Sequence, residues 1–146
     1  YYSEHHHEYG LDVRTNLALA RSFTARDYIQ AQRVRTRTIA HLNHALQEAD
    51  AIVTPTTGCT ARAIAPDALG GESDLTTVME IMRFTPITNL TGHPAISFPA
   101  GYDSSGLPIG FQAIGRAWEE HVLLRLANAA EQLVERRPPQ MHFKAP

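Results

Sequence analysis

The sequence has little of several features that would place it in a particular class of protein. Its 146 residues include one cysteine, Cys59, which excludes an internal disulfide and any disulfide-stabilised secreted scaffold. No apolar run approaches the roughly 20 residues that a membrane-spanning helix needs. No signal peptide is visible, although a chain that opens on Tyr1 could have lost a targeting segment. We expect an intracellular protein, with membrane attachment left open.

The chain also has no excess of positive charge. A formal net charge of −2 gives no electrostatic footprint for nucleic acid, so no nucleic-acid partner is expected. The alternating arginines at 33, 35 and 37 are more typical of a solvated helix face than of a phosphate-binding strip. Lysine occurs only at Lys144, in a proline-flanked tail. A lysine base needs burial or a neighbouring charge to lower its pKa, and a chain end offers neither.

Apolar periodicity predicts helices in the first third of the chain. One helix is expected over Leu11–Ala20, and a second from an N-cap at Thr24 to about Ala49, with Asp27 completing a variant capping box. The second helix carries one broad apolar stripe, formed by Tyr28, Ala31, Val34, Ile39, Leu42, Ala45 and Leu46.

The pattern changes after residue 50. Residues 51–53 predict a buried strand that ends at Pro55, followed by a loop over 56–74 and a short helix over 75–84. Residues 89–92 are predicted as loop. Strands over 94–99 and 109–114, separated by a turn at 103–106, predict an antiparallel hairpin.

A last helix is predicted over 118–135 and is stopped by the prolines at 138 and 139. Its expected inward residues are Val122, Leu123, Leu126, Ala129, Ala130 and Leu133.

This order of elements predicts an α/β fold with only part of a sheet. Three strands make a poor independent sheet when helices must cover them on more than one face, so they are expected to form one edge of a larger sheet. Residues 1–49 would be helical and residues 50–137 would form a strand–helix–hairpin–helix unit. We therefore expect no complete independent domain.

One long motif resembles a known family. Residues 89–115 read N-L-T-G-H-P-A-I-S-F-P-A-G-Y-D-S-S-G-L-P-I-G-F-Q-A-I-G and resemble the C-terminal hallmark of the amidase-signature enzymes. D-A-I-V-T-P-T-T-G at residues 50–58 fits the strand and loop that precede this hallmark. M-R-F at 82–84 and G-R-A-W-E at 115–119 are most similar to plant fatty acid amide hydrolases. The resemblance implies the C-terminal portion of the amidase-signature fold, a mixed sheet flanked by helices.

The resemblance also implies an activity whose catalytic residues are missing here. Family members cut amides with a Ser–Ser–Lys arrangement in which one serine of the pair has a cis peptide bond, and no stretch of this sequence matches it. A serine hydroxyl needs an adjacent base to become a good nucleophile. We expect the complete enzyme to hydrolyse fatty acid amides such as N-acylethanolamines through an acyl-serine intermediate, without cofactor or metal. This chain alone would be inactive.

The resemblance places pocket residues in two segments. Thr56, Thr57 and Cys59 would face the channel for the acyl chain, and Met82 and Phe84 would add apolar lining. The competing interpretation is that the hydroxyls cap turns and that Met82 and Phe84 pack in the core. The expected ligand is a lipid or small-molecule amide, while a homodimer and membrane association of the complete enzyme are left open.

No serine or cysteine of this chain is a strong candidate to replace the missing catalytic serine. Ser97 lacks a Gly-x-Ser-x-Gly elbow and is interpreted as a strand residue. Cys59 would need a positive neighbour to become reactive, and Arg62 is a candidate only through its closeness in sequence. Asn89 and Gln112 are interpreted as structural hydrogen-bonding residues rather than substrate contacts.

The histidines do not predict a metal site. Three consecutive histidines at 5–7 point in different directions on any regular element and would need Glu4 or Glu8 as well. His41 and His44 can share a helix face, but they lack a third ligand.

Two other functions stay open at this point. One is the amidase subunit of a tRNA-dependent amidotransferase, which shares the hallmark. The other is a non-catalytic interaction module or degenerate gene product.

Overall fold

Six α-helices and three β-strands form the part of the chain that the computed structural model describes, residues 1–64 and 74–137. The helices are α1 (Tyr2–His5), α2 (Leu11–Ala20), α3 (Ala25–Glu48), α4 (Leu75–Ile81), α5 (Pro86–Thr91) and α6 (Glu120–Leu133). The strands are β1 (Ile52–Pro55), β2 (Ala95–Tyr102) and β3 (Pro108–Ile114), and a 3-10 turn, His6–Glu8, follows α1. Lys144, the prolines at 138 and 139, and residues 65–73 of the predicted loop lie outside the described residues.

Helix α3 begins as its sequence predicts. The Asp27 amide donates to Thr24 Oγ1 (3.3 Å), and the Thr24 amide donates to the Asp27 carboxylate (2.8 Å), which completes a capping box. Only the C-terminal half of the predicted apolar stripe is covered. Leu42 and Leu46 are buried, whereas Tyr28 is 66% exposed.

The sheet has the strand order β1-β3-β2, and both pairs are antiparallel. Ala113 at its centre faces Val53 on one side and Ile96 on the other. The predicted hairpin of β2 and β3 is confirmed, and so is the turn at residues 103–106. The α/β class holds, with the sheet small and flanked by helices.

Helix α6 packs against β2 and forms the core. The buried apolar cluster consists of Phe98, Ala113, Leu123 and Ala127, with Ala51, Ile96, Leu126 and Ala130 packed around it. Leu133 was predicted to face inward, but it is 86% exposed, and Ala129 is exposed too. Neither residue belongs to the buried cluster, and Leu133 is the last residue of α6.

The prediction of a loop at residues 89–92 is wrong. Residues 86–91 form α5, which starts with Pro86 at its first position and ends before Gly92, whose φ is +78°. Proline suits a helix start because its missing amide has no partner there, and glycine suits the left-handed residue after a helix end. Helix α4 ends at Ile81, so residues 82–85 form the turn between the two helices.

Two arginines connect α3 to the rest of the molecule. Arg35 Nε donates to Leu90 O in α5 (2.7 Å). Arg116, between β3 and α6, donates to Leu46 O (2.8 Å) and Ala49 O (2.9 Å) at the C-terminal end of α3. Within the described ranges, no helix is both long enough and apolar enough to cross a membrane.

Candidate functional site

The loop of residues 56–60 follows β1 and carries the first three candidate pocket residues. Hydrogen bonds join it to β3, to α4 and to the β2–β3 turn: Thr56 N to Gly110 O (2.9 Å), Gly58 N to Glu80 O (3.0 Å), and Thr60 Oγ1 to Asp103 Oδ2 (2.8 Å). A loop fixed along its length in this way presents a preset surface to a ligand, which lowers the conformational cost of binding.

The Thr56 hydroxyl makes an exposed contact within the chain. Its Oγ1 lies 2.7 Å from Ser97 Oγ, across the middle strand of the sheet. A Cβ at Gly110 would lie 3.0 Å from Thr56 Oγ1 and 3.5 Å from Ser97 Oγ, so the glycine leaves room for the two hydroxyls to meet. The bonding partner of Ser97 is thus another hydroxyl, which is not a general base. This contact agrees with a structural role for Ser97.

Thr57 and Cys59 lie together at the tip of the loop. Thr57 Oγ1 donates to Cys59 O (2.8 Å), which is the turn-capping contact of the competing interpretation. The Cys59 thiol is half-buried and free. The nearby Cys59 side chain raises the pKa of Arg62 above its ordinary value. The positive neighbour suggested by the sequence therefore lies beside Cys59.

Met82 and Phe84 lie in the turn between α4 and α5. Met82 is 43% exposed and Phe84 is half-buried, and neither belongs to the buried core cluster. The turn begins two residues after Glu80, whose carbonyl accepts the bond from Gly58. The structure therefore joins the two segments that the sequence predicts as pocket lining.

Gln112 is the buried polar residue of this region, with 5% exposure. Its Nε2 donates to Thr54 Oγ1 (3.0 Å) and to Phe84 O (3.0 Å), as the structural interpretation of this side chain requires. Asn89 lies exposed on α5, and the structure gives it no role at the site.

Sequence reasoning missed the anchor that Asp103 provides. Asp103 Oδ1 accepts from the Ser105 and Leu107 amides (2.9 Å each), while Oδ2 accepts from Thr60. The Leu107 amide first, and then the Thr60 hydroxyl, hold the pKa of this carboxyl below its ordinary value. Aspartate at the start of a Ser- and Gly-containing turn was the available signal for the amide bonds, but not for the bond to Thr60.

The histidines of the first helix and turn pair locally. His5 Nδ1 lies 2.8 Å from Glu8 Oε1, and the His6 and His7 rings are 3.9 Å apart between centroids. His41 lies exposed on α3, as does His44. In the ranges with described positions, no three His, Cys, Asp or Glu side chains come together as a metal-binding group.

The chain belongs to the amidase family, whose model matches residues 6–124. Among its relatives, the fatty acid amide hydrolase of Medicago truncatula is 52% identical over 87% of this chain and 22% of its own length. That of Arabidopsis thaliana is 50% identical over 84% of this chain and 20% of its own length. A glutamyl-tRNA(Gln) amidotransferase subunit from Chelativorans sp. is 40% identical over 77% of this chain and 23% of its own length. The chain thus spans about a fifth of these curated relatives.

Solved structures show the same fold. A bacterial aryl acylamidase of the amidase signature family matches with a TM-score of 0.73 at 25% identity, over 90% of this chain and 28% of that one. A glutamyl-tRNA(Gln) amidotransferase subunit from Thermotoga maritima matches with a TM-score of 0.67 at 33% identity, over 89% and 29%. The predicted family and fold class are both confirmed.

Proposed function

We propose that this chain is the C-terminal segment of a serine amidase that hydrolyses the carbon–nitrogen bond of fatty acid amides such as N-acylethanolamines. The observation that carries the proposal is the identity of 52% and 50% to two plant fatty acid amide hydrolases, against 40% to an amidotransferase subunit. The nucleophilic serine and its lysine base would be supplied by residues outside this chain.

The apolar surface of α4 supports a fatty acyl substrate. Helix α4 and the turn after it expose several apolar side chains beside the loop of residues 56–60: Leu75, Val78, Met79, Ile81 and Met82. An exposed apolar cluster of this kind marks a binding surface in many proteins. An acyl chain would lie against these side chains, while the anchored loop would define one wall.

The test uses the complete protein that contains these residues. We expect it to hydrolyse a long-chain N-acylethanolamine and to produce no glutamine-dependent amidation of Glu-tRNA. The second candidate is the amidotransferase subunit, favoured by the match to the Thermotoga maritima structure. Amidation of Glu-tRNA without hydrolysis of the acyl amide would establish that second function. Failure of both reactions would favour a non-catalytic module.

A further inference from the structure

Gln112 connects the two segments that carry the candidate pocket residues. One hydrogen of its Nε2 goes to Thr54 in β1, two residues before the loop of residues 56–60. The other goes to the carbonyl of Phe84, in the turn between α4 and α5. A single buried amide therefore holds both segments from one point of the middle strand.

The chemistry at this point requires a double donor. The Phe84 carbonyl can only accept, and Thr54 Oγ1 already donates to Pro55 O (3.0 Å), so both partners need a hydrogen from Gln112. A primary amide supplies two hydrogens in a fixed plane. An apolar side chain of similar volume would fill the space but leave a part-buried carbonyl without this partner, which is costly.

The position of Gln112 in the sheet fixes the spacing of the two segments. Gln112 faces Thr54 directly in the register of β1 and β3, and Ser97 on its other side in β2. Its backbone is thus set by two strands, and its side chain reaches from the sheet to the turn. A second contact, Gly58 N to Glu80 O, joins the same loop to the end of α4. Gln112 therefore ties the turn to β1, just before the loop, while the loop itself is bonded to α4 through Gly58 and to β3 through the Thr56 amide.

We propose that Gln112 is a positioning residue that fixes the turn of residues 82–85 relative to the loop of residues 56–60, and thereby sets selectivity for the length of the acyl chain. The selectivity part rests on the proposed function. Gln112 itself touches neither the substrate nor the reacting atoms. It acts through Phe84 on one side and through Thr54 on the other.

Three variants separate the two hydrogen bonds. Gln112→Met keeps the volume and removes both bonds, Thr54→Val removes only the bond toward the loop, and Thr54→Ser retains a hydroxyl. Thr36→Val is the control, because the Thr36 hydroxyl donates to Gln32 O within its own helix (3.0 Å) and lies on a different element. All four are made in the complete protein.

The first readout is amide hydrogen exchange, which needs no activity. Gln112→Met should raise the rate of amide exchange in both segments. Thr54→Val should raise it in residues 56–60 alone. Thr54→Ser and Thr36→Val should leave the exchange of both segments unchanged. Unchanged exchange of both segments in Gln112→Met would overturn the proposal. This readout stands even if the complete protein hydrolyses no amide, a result that would count against the proposed function alone.

The second readout is the ratio of kcat/KM for a long-chain to that for a short-chain acyl amide. We expect the ratio to fall about tenfold in Gln112→Met, because misplaced lining residues weaken the positioning of a long chain most. Thr54→Ser should restore the ratio that Thr54→Val lowers. A uniform loss for both substrates would show a merely structural role and would overturn the selectivity claim.

Discussion

At the scale of single residues, the candidate site depends on hydrogen bonds made by a few polar side chains. Asp103 is the clearest case, since its carboxylate holds the β2–β3 turn and the loop of residues 56–60 at once. Three donors point at it and stabilise its charged form. Its pKa in the folded protein therefore lies below the ordinary value.

This lowered pKa predicts a specific pH dependence. A carboxyl whose pKa is lower in the folded state stabilises the protein fully above its unfolded pKa of about 3.9, and the effect is lost as the pH falls through the folded pKa. We expect Asp103→Asn to lower the free energy of unfolding at pH 7, and the deficit to shrink below about pH 4. Urea titrations across this pH range measure the difference in unfolding free energy between the variant and the wild type, with Glu131→Gln on the exposed side of α6 as control. A deficit that is the same at pH 3 and pH 7 would contradict the assignment.

Arg116 stabilises the end of α3. The last carbonyls of a helix have no intrahelical partner, and the guanidinium, 34% exposed, supplies donors to Leu46 and Ala49 while pairing with Glu119 (3.0 Å). We expect Arg116→Met to lower the free energy of unfolding, because these carbonyls lose their donors. Arg116→Lys should recover only part of it, because an ammonium cannot reproduce the planar set of donors. The matched control is Arg125→Met, on the exposed face of α6. An equal loss of unfolding free energy from both substitutions would refute this role.

At the scale of elements, the sequence predicts those that have strong local signals. The capping box of Thr24 and Asp27 marks the start of α3, and the turn cluster at residues 103–106 marks the hairpin. Helix α5 was missed because its six residues are too few to show an amphipathic period. Its signals were Pro86 at the start and Gly92 after the end, but proline and glycine are also typical of loops.

The contact between the loop of residues 56–60 and α4 depends on the absence of a side chain at Gly58. A Cβ at Gly58 would lie 2.3 Å from Glu80 O, a backbone atom that cannot turn aside. Gly58→Ala should therefore push the loop away from α4, cost roughly 1–3 kcal/mol of stability and raise amide exchange in residues 56–60.

Gly10→Ala is the matched control for this substitution. The added Cβ at Gly10 would approach only the Asp12 carboxylate (2.8 Å), the flexible end of a side chain that can move. We expect that variant to unfold close to the wild-type midpoint. If Gly58→Ala were equally harmless, the close approach of loop and helix would not be a constraint.

Across the whole chain, the spacing of apolar residues in the sequence predicts which helix faces are apolar, but it does not predict which of these faces are buried. Helix α3 illustrates this: Leu46 is buried, whereas Tyr28 and Val34 of the same stripe are exposed. The same holds for Leu133 on α6. Burial depends on partner surfaces that the pattern does not identify, and the chain spans about a fifth of its curated relatives. The sequence likewise predicted the candidate site as two separate segments. The hydrogen bonds of Gln112 and Gly58 that connect these segments could be seen only in the structure.

We propose that these residues shape a pocket and that residues outside this chain carry out the cleavage. The direct test compares hydrolysis of a long-chain N-acylethanolamine by the purified 146-residue chain and by the complete protein at equal concentrations. We expect turnover by the complete protein and none above background by the chain alone. Turnover by the chain alone that disappears when Ser97 or Cys59 is replaced by alanine would contradict the account.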